Sequence, residues 1–108
     1  MDDKLKKKAL RMLSYGIYIL TSKFKDSYCA STVTWVSQAS FTPPLVSVCI
    51  KRDSASYKVV KERGEFLLHI LGEEQKDLAL SFFKQTALKN GFLNKQPYQL
   101  VDNLPLLI

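Results

Sequence analysis

Between Ala30 and Leu45 the chain carries Ser31, Thr32, Thr34, Ser37, Gln38 and Ser40, interleaved with Val33, Trp35, Val36, Ala39 and Phe41. Hydroxyls and an amide at this density, set beside aromatic residues, supply hydrogen-bond partners next to a flat apolar wall, which is the equipment of a small-molecule site. An edge strand that turns its hydroxyls to water and its tryptophan to the core has the same composition. Taken alone, the residue types favour that plainer description.

Side chains able to work on a bond unaided are scarce. His69 is the one histidine, and it lies inside the apolar run Phe66 to Leu71, where a structural imidazole is expected. There is no glycine-rich serine elbow and no GxxxxGK loop, so nothing supports a hydrolase or a phosphate-loop enzyme. Cys29, Cys49 and His69 form no set at metal-ligand spacing, and no metal is expected. If the chain is an enzyme, a cofactor must supply its reactivity. A flavin would need partners along one ring edge, an apolar wall, and cations or N–H groups at its phosphate. Ser31, Thr32, Ser37 and Gln38 suit the first need, and Trp35 or Phe41 the second.

The elements that must position these residues follow from periodicity. Leu5, Ala9, Met12 and Leu13 recur at helical spacing among lysines, with Gly16 placed to end the helix. Ile17 to Thr21 and Tyr28 to Val36 read as consecutive strands around the polar break Lys23 to Ser27. After Pro43-Pro44, Leu45 to Ile50 reads as a well-buried third strand, and Lys51-Arg52-Asp53 as a polar loop. Ser54 is placed to cap a helix over Ala55 to Arg63, with Tyr57, Val59 and Val60 inward and Gly64 at its end. Phe66 to Leu71 is a fourth strand. Glu73 and Glu74 begin another helix whose buried face is Leu78, Ala79, Phe82 and Phe83. Lys84 to Gln99 reads as loop with a turn at Asn90-Gly91, and Val101 to Ile108 as a strand that ends without a polar tail. Sequential strands without regular βα alternation favour an antiparallel sheet or small barrel.

The 108 residues, 46% hydrophobic and 24% charged, suit one globular domain spanning residues 1–108, for which dimerisation would help stability. The formal charge is +6, and Lys4, Lys6, Lys7, Lys8 and Arg11 crowd the first eleven positions. Such a run is read as a solvated helix face, with no nucleic-acid or membrane contact expected. No apolar run approaches the roughly 20 residues of a membrane span. Met1-Asp2-Asp3 does not resemble a signal peptide, so the cysteines are expected to be reduced and the protein cytoplasmic.

The strings ALRMLSYGIYILTSK, CASTVTWVSQASFTPPLVSVCIKRDSASY and GEFLLHIL, in this order and spacing, resemble the flavin reductase-like FMN-binding split-barrel family. The likeness is strongest to its flavoredoxin-like members and to modules fused to rubredoxin or flavodiiron proteins. It runs from about Ala9 to Phe83, and the stretch from Ser37 to Leu45 is its most specific part. The resemblance implies a mainly β chain with short helices in a six-stranded Greek-key barrel. It also implies a homodimer with FMN near the dimer interface, reduced by NAD(P)H or by a redox-protein partner.

Carried over by position, Ala30, Ser31 and Thr32 line the flavin, with Trp35, Ser37, Gln38 and Ser40 near its ring or ribityl chain. Ser54, Ser56 and Tyr57 fall at the phosphate-side loop and helix start. A helix N-terminus offers free N–H groups to a phosphate, and Lys51 and Arg52 add charge there. The family's domains continue past the string matched by Pro105-Leu106-Leu107 into further strands, including a histidine-bearing region linked to nicotinamide binding, so the chain is expected to lack its C-terminal barrel strands. The resulting expectation is an FMN-dependent oxidoreductase or electron-transfer flavoprotein. The alternatives are a small basic barrel that binds single-stranded nucleic acid and a flavin-less dimerisation domain.

Overall fold

The computed structural model describes residues 2–12, 16–84 and 86–108. Among these residues the order is α1 (Asp3–Arg11), β1 (Tyr18–Phe24), β2 (Ser27–Val33), β3 (Val36–Ser40), β4 (Leu45–Val48), α2 (Ala55–Arg63), β5 (Leu67–Ile70), a 3-10 turn (Glu73–Gln75) and α3 (Lys76–Ser81). Four further strands follow: β6 (Leu88–Lys89), β7 (Phe92–Leu93), β8 (Gln96–Val101) and β9 (Leu104–Leu107). The chain is thus mainly β with short helices. The strands form three antiparallel sheets, ordered β2-β1-β5, β3-β4 and β6-β7-β8-β9, and these stay open, as expected of a split barrel that lacks its C-terminal strands.

β1 is the central strand of the three-stranded sheet, and Ile19, Leu20, Thr21 and Ser22 are buried in succession. Alternate side chains of a strand point to opposite faces, so a continuous buried run means that both faces are covered. Ile19 joins Ala30, Phe82 and Leu93 in one core, while Leu20 joins Cys29 and Val59 in the other. The two buried hydroxyls are satisfied by carbonyls, Thr21 Oγ1 donating to Pro105 O at 2.5 Å and Ser22 Oγ to Glu65 O at 2.7 Å.

The α2 termini match the sequence reading. Ser54 Oγ accepts the Tyr57 N–H at 3.1 Å, and Gly64 takes the left-handed conformation (φ 75°) that glycine adopts without a Cβ clash. α1 ends at Arg11 with Met12 as a right-handed cap, before Gly16 is reached. Its Leu5 and Met12 are exposed, and Leu13, expected on the same stripe, lies outside the described residues.

Four expectations are corrected. The run Tyr28 to Val36 breaks after Val33, because the Val36 N–H closes back on Thr34 O at 3.1 Å and β3 starts afresh. Leu45 to Ile50 is not well buried: among the described residues β4 pairs only with β3, which leaves Leu45 and Val46 more than half exposed. Phe83 lies beyond the end of α3 and is exposed, while Ala79 and the capping Phe82 are buried. The supposed loop Lys84 to Gln99 holds β6, β7 and the start of β8, with Gln85 outside the described residues. Its turns at Asn90-Gly91 and Asn94-Lys95, like Asp102-Asn103 after β8, have positive φ at both residues, the conformation that matches tight hairpins to strand twist.

Candidate functional site

β2 is an edge strand, and its outer edge is where the chain builds a cleft of about 860 Å³. The strand's alternation divides its hydroxyls between two walls. Ser31 faces α2, where its Oγ lies 2.7 Å from Ser56 Oγ. Thr32 faces α3, where its Oγ1 donates to Ala79 O at 2.5 Å and its N–H donates to Phe82 O at 3.1 Å. Beyond β2 the chain continues along the cleft through Val33, Thr34 and Trp35, and the Cys49 N–H donates to Trp35 O at 3.0 Å, bringing Cys49, Ile50 and Lys51 alongside. Phe82, Phe83, Lys84 and Thr86 form the opposite wall.

One end of the cleft meets the start of α2. Ser54 Oγ donates to Lys51 O at 2.6 Å while accepting the Tyr57 N–H, so its hydroxyl is committed to the cap. The N–H groups of the first helical turn have no partner within the helix and carry the positive end of its dipole. Lys51 is exposed beside them and makes only a loose ion pair with Asp53 at 3.8 Å, which leaves its charge available to an anion.

Two titratable groups of this sheet, Cys29 on β2 and His69 on β5, are held neutral. Burial pushes the Cys29 thiol up, opposed in part by its hydrogen bond with Ser56. Burial pushes His69 below the usual imidazole value, opposed in part by its bond to Ile19 O. The Leu107 N–H can only donate, so His69 Nε2 accepts it at 3.1 Å, and Nδ1 carries the proton it gives to Ile19 O at 3.0 Å. The imidazole therefore ties β9 to β5 and β1, a structural role.

Of the residues singled out in the sequence, Ala30, Ser31, Thr32, Trp35, Ser54 and Ser56 line the cleft together. Ser37, Gln38 and Ser40 lie on β3 outside it, and Ser37 Oγ pairs with Ser47 Oγ at 3.1 Å. Arg52 and Tyr57 line a separate groove of about 450 Å³ with Lys58 and Lys61, and the two hollows share Ser54. Phe41 is almost wholly exposed and is no wall of the cleft. Sequence reasoning missed the far wall of Phe82, Phe83, Lys84 and Thr86, since its approach to β2 bridges 56 residues between Ala30 and Thr86. It also missed Cys49 and Ile50, which it placed in a buried strand. Among the described residues no group of three His, Cys, Asp or Glu side chains could hold a metal, and no helix is long and apolar enough to cross a membrane.

Residues 10–107 match the family described as the flavin reductase like domain. The diflavin flavoprotein A 1 of Synechocystis sp. is 34% identical over 83 residues, covering 77% of this chain and 14% of the relative. The high molecular weight rubredoxin of Moorella thermoacetica is 30% identical over 84 residues, covering 78% of this chain and 35% of the relative. This chain thus spans well under half the length of either. The crystal structure described as nitrilotriacetate monooxygenase component B from Mycobacterium thermoresistibile shares the fold, with a TM-score of 0.76 at 21% identity over 98% of this chain and 60% of that one.

Proposed function

The chain belongs to the flavin reductase like domain family, and from that premise we propose that it holds FMN non-covalently in the β2 edge cleft and serves flavin-dependent electron transfer. The observation that carries this reading is the composition of the cleft. Hydroxyls of Ser31, Thr32 and Ser56 line it, Trp35, Ile50, Phe82 and Phe83 give it apolar surface, and Lys51 with the α2 N-terminus supplies positive charge at one end. Its volume falls in the range of about 300–1,000 Å³ common for cofactor sites. These residues fit a ligand that is flat and apolar at one end and a phosphate monoester at the other, which favours FMN over FAD.

When bound, FMN supplies the redox chemistry, accepting and passing on electrons that the side chains cannot carry. The protein's own part is placement. Ser31 and Ser56 hold the α2 side of the cleft in register with β2. Thr32 fixes the α3 side. Lys51 and the free N–H groups of α2 stabilise the dianionic phosphate. The apolar walls exclude water from one side of the ring. NAD(P)H or a reduced redox protein is the donor in this reading, and the rubredoxin named among its relatives supports a redox-protein partner.

The same reading includes a homodimer. Trp35, Phe41, Leu45 and Val46 are exposed on and beside the two-stranded β3-β4 sheet, an apolar surface that a second copy would cover. The free thiols of Cys29 and Cys49 support a reducing, cytoplasmic setting.

The test is the visible spectrum of the purified chain, alone and after incubation with FMN and removal of excess, followed by NADH, NADPH or a reduced rubredoxin. Retained yellow flavin that bleaches with one of these donors supports the proposal. A colourless chain that neither retains FMN nor quenches its fluorescence overturns it. Light scattering tests the dimer separately, and a flavin-bearing monomer would overturn that part alone.

A further inference from the structure

We propose that Thr86 is a positioning residue, whose hydroxyl stands in for a neighbouring strand at Ala30 and so holds the wall of Phe82, Phe83 and Lys84 against the edge of β2. The proposal rests on the flavin reading above.

On its inner side β2 is paired with β1, and on its outer side the Ala30 and Thr32 backbones meet no strand. Buried backbone donors and acceptors at such an edge require partners. Thr32 finds the Phe82 carbonyl. Ala30 finds a single side chain: Thr86 Oγ1 accepts the Ala30 N–H at 3.1 Å and donates to Ala30 O at 3.1 Å. One hydroxyl that accepts from and donates to the same residue reproduces the two-point exchange of an antiparallel hydrogen-bonded pair. A hydroxyl does both through one atom, which a valine of the same shape cannot do.

The segment is anchored at its back by Asn94, whose Nδ2 donates to Ser81 O at 2.9 Å and whose Oδ1 accepts the Ala87 N–H at 2.6 Å. Asn94 fixes the segment to the turn between β7 and β8, whereas Thr86, together with the Thr32–Phe82 bond, fixes it to the edge of β2 and so sets where Phe82, Phe83 and Lys84 stand along the cleft. Thr86 thus acts on a ligand through Ala30 and the wall.

The test compares Thr86→Val, which keeps the shape and removes the hydroxyl, with Thr86→Ser, which keeps the hydroxyl. FMN affinity is read by fluorescence quenching, and amide exchange at Ala30 by NMR, with the buried Leu20 amide of β1 as the control for global opening. For Thr86→Val the expected result is about tenfold weaker FMN binding and about tenfold faster Ala30 exchange at unchanged Leu20 exchange, the loss of roughly one net hydrogen bond. Thr86→Ser restores both. Unchanged FMN affinity in Thr86→Val, or a Thr86→Ser variant as weak as the valine variant, overturns the proposal. Should the wild type bind no FMN, the flavin reading fails by itself, and the clamp is decided by exchange: unchanged Ala30 protection in Thr86→Val overturns it.

Discussion

The hydroxyls of Ser31 and Ser56 lie 2.7 Å apart inside the cleft, joining the edge of β2 to the first turn of α2. Ser56 is buried, so one small side chain sets the spacing of strand and helix where both line the cleft. The site therefore depends on a contact internal to the scaffold.

Ser56→Ala removes that contact. It should cost about 1 kcal/mol of stability by chemical unfolding, a typical net value for a buried hydrogen bond, and should weaken FMN binding as α2 loses its register with β2. Ser37→Ala, on the exposed β3 outside the cleft, is expected to leave both quantities unchanged.

The proposed phosphate end of the cleft separates two neighbouring cations. Lys51 lines the cleft and Arg52 the adjoining groove, so Lys51→Ala should weaken FMN by up to about tenfold and spare riboflavin, which lacks the phosphate. Arg52→Ala should change FMN affinity much less. Titration of both flavins into both variants checks this, and equal loss of FMN and riboflavin in Lys51→Ala would remove the lysine from phosphate binding.

His69 predicts a pH dependence of stability. Its folded-state pKa is depressed below 6.5, so on acidification the unfolded chain takes up a proton before the folded one does. The stabilisation is complete above the unfolded pKa and is lost as pH falls through the folded value, because a protonated Nε2 cannot accept the Leu107 N–H. Urea unfolding of the wild type should therefore show stability falling below about pH 6.5, the reference imidazole value. His69→Gln, which does not titrate, should flatten that part of the profile. A profile of the same shape in the variant would contradict the bridge.

Legibility in the sequence followed the range of the interaction. α2 was readable at both ends because Ser54 and Gly64 act on their own helix, within three or four residues. The Lys25-Asp26 hairpin between β1 and β2 was readable as a polar break between β-branched runs. β9 was readable within the run Val101 to Ile108, but β6 to β8 were not, since the turns Asn94-Lys95 and Asp102-Asn103 that bound β8 carry no glycine signal. Nor was the role of Arg63, which donates to the carbonyls of Lys23, Asp102 and Asn103 and ties that last turn to the end of β1.

The site divided in the same way. Ala30, Ser31 and Thr32 came to one cleft with Ser54 and Ser56 because β2 and α2 pack directly on each other. Ser37, Gln38 and Ser40 share the dense polar string with them, but the turn at Thr34-Trp35 carries those three onto a different sheet. Composition cannot register that turn.

The proposed seat of FMN in the cleft is tested most directly by the rate of Cys49 alkylation as FMN is added. Cys49 is exposed and lines the cleft, while Cys29 is buried with its thiol held protonated, so mass spectrometry reads the former with the latter as internal control. The account predicts that Cys49 reacts quickly in the free chain and that its rate falls hyperbolically toward zero as FMN saturates, with the same midpoint as the fluorescence quench. A Cys49 rate that stays constant across the concentrations at which FMN binds would contradict it.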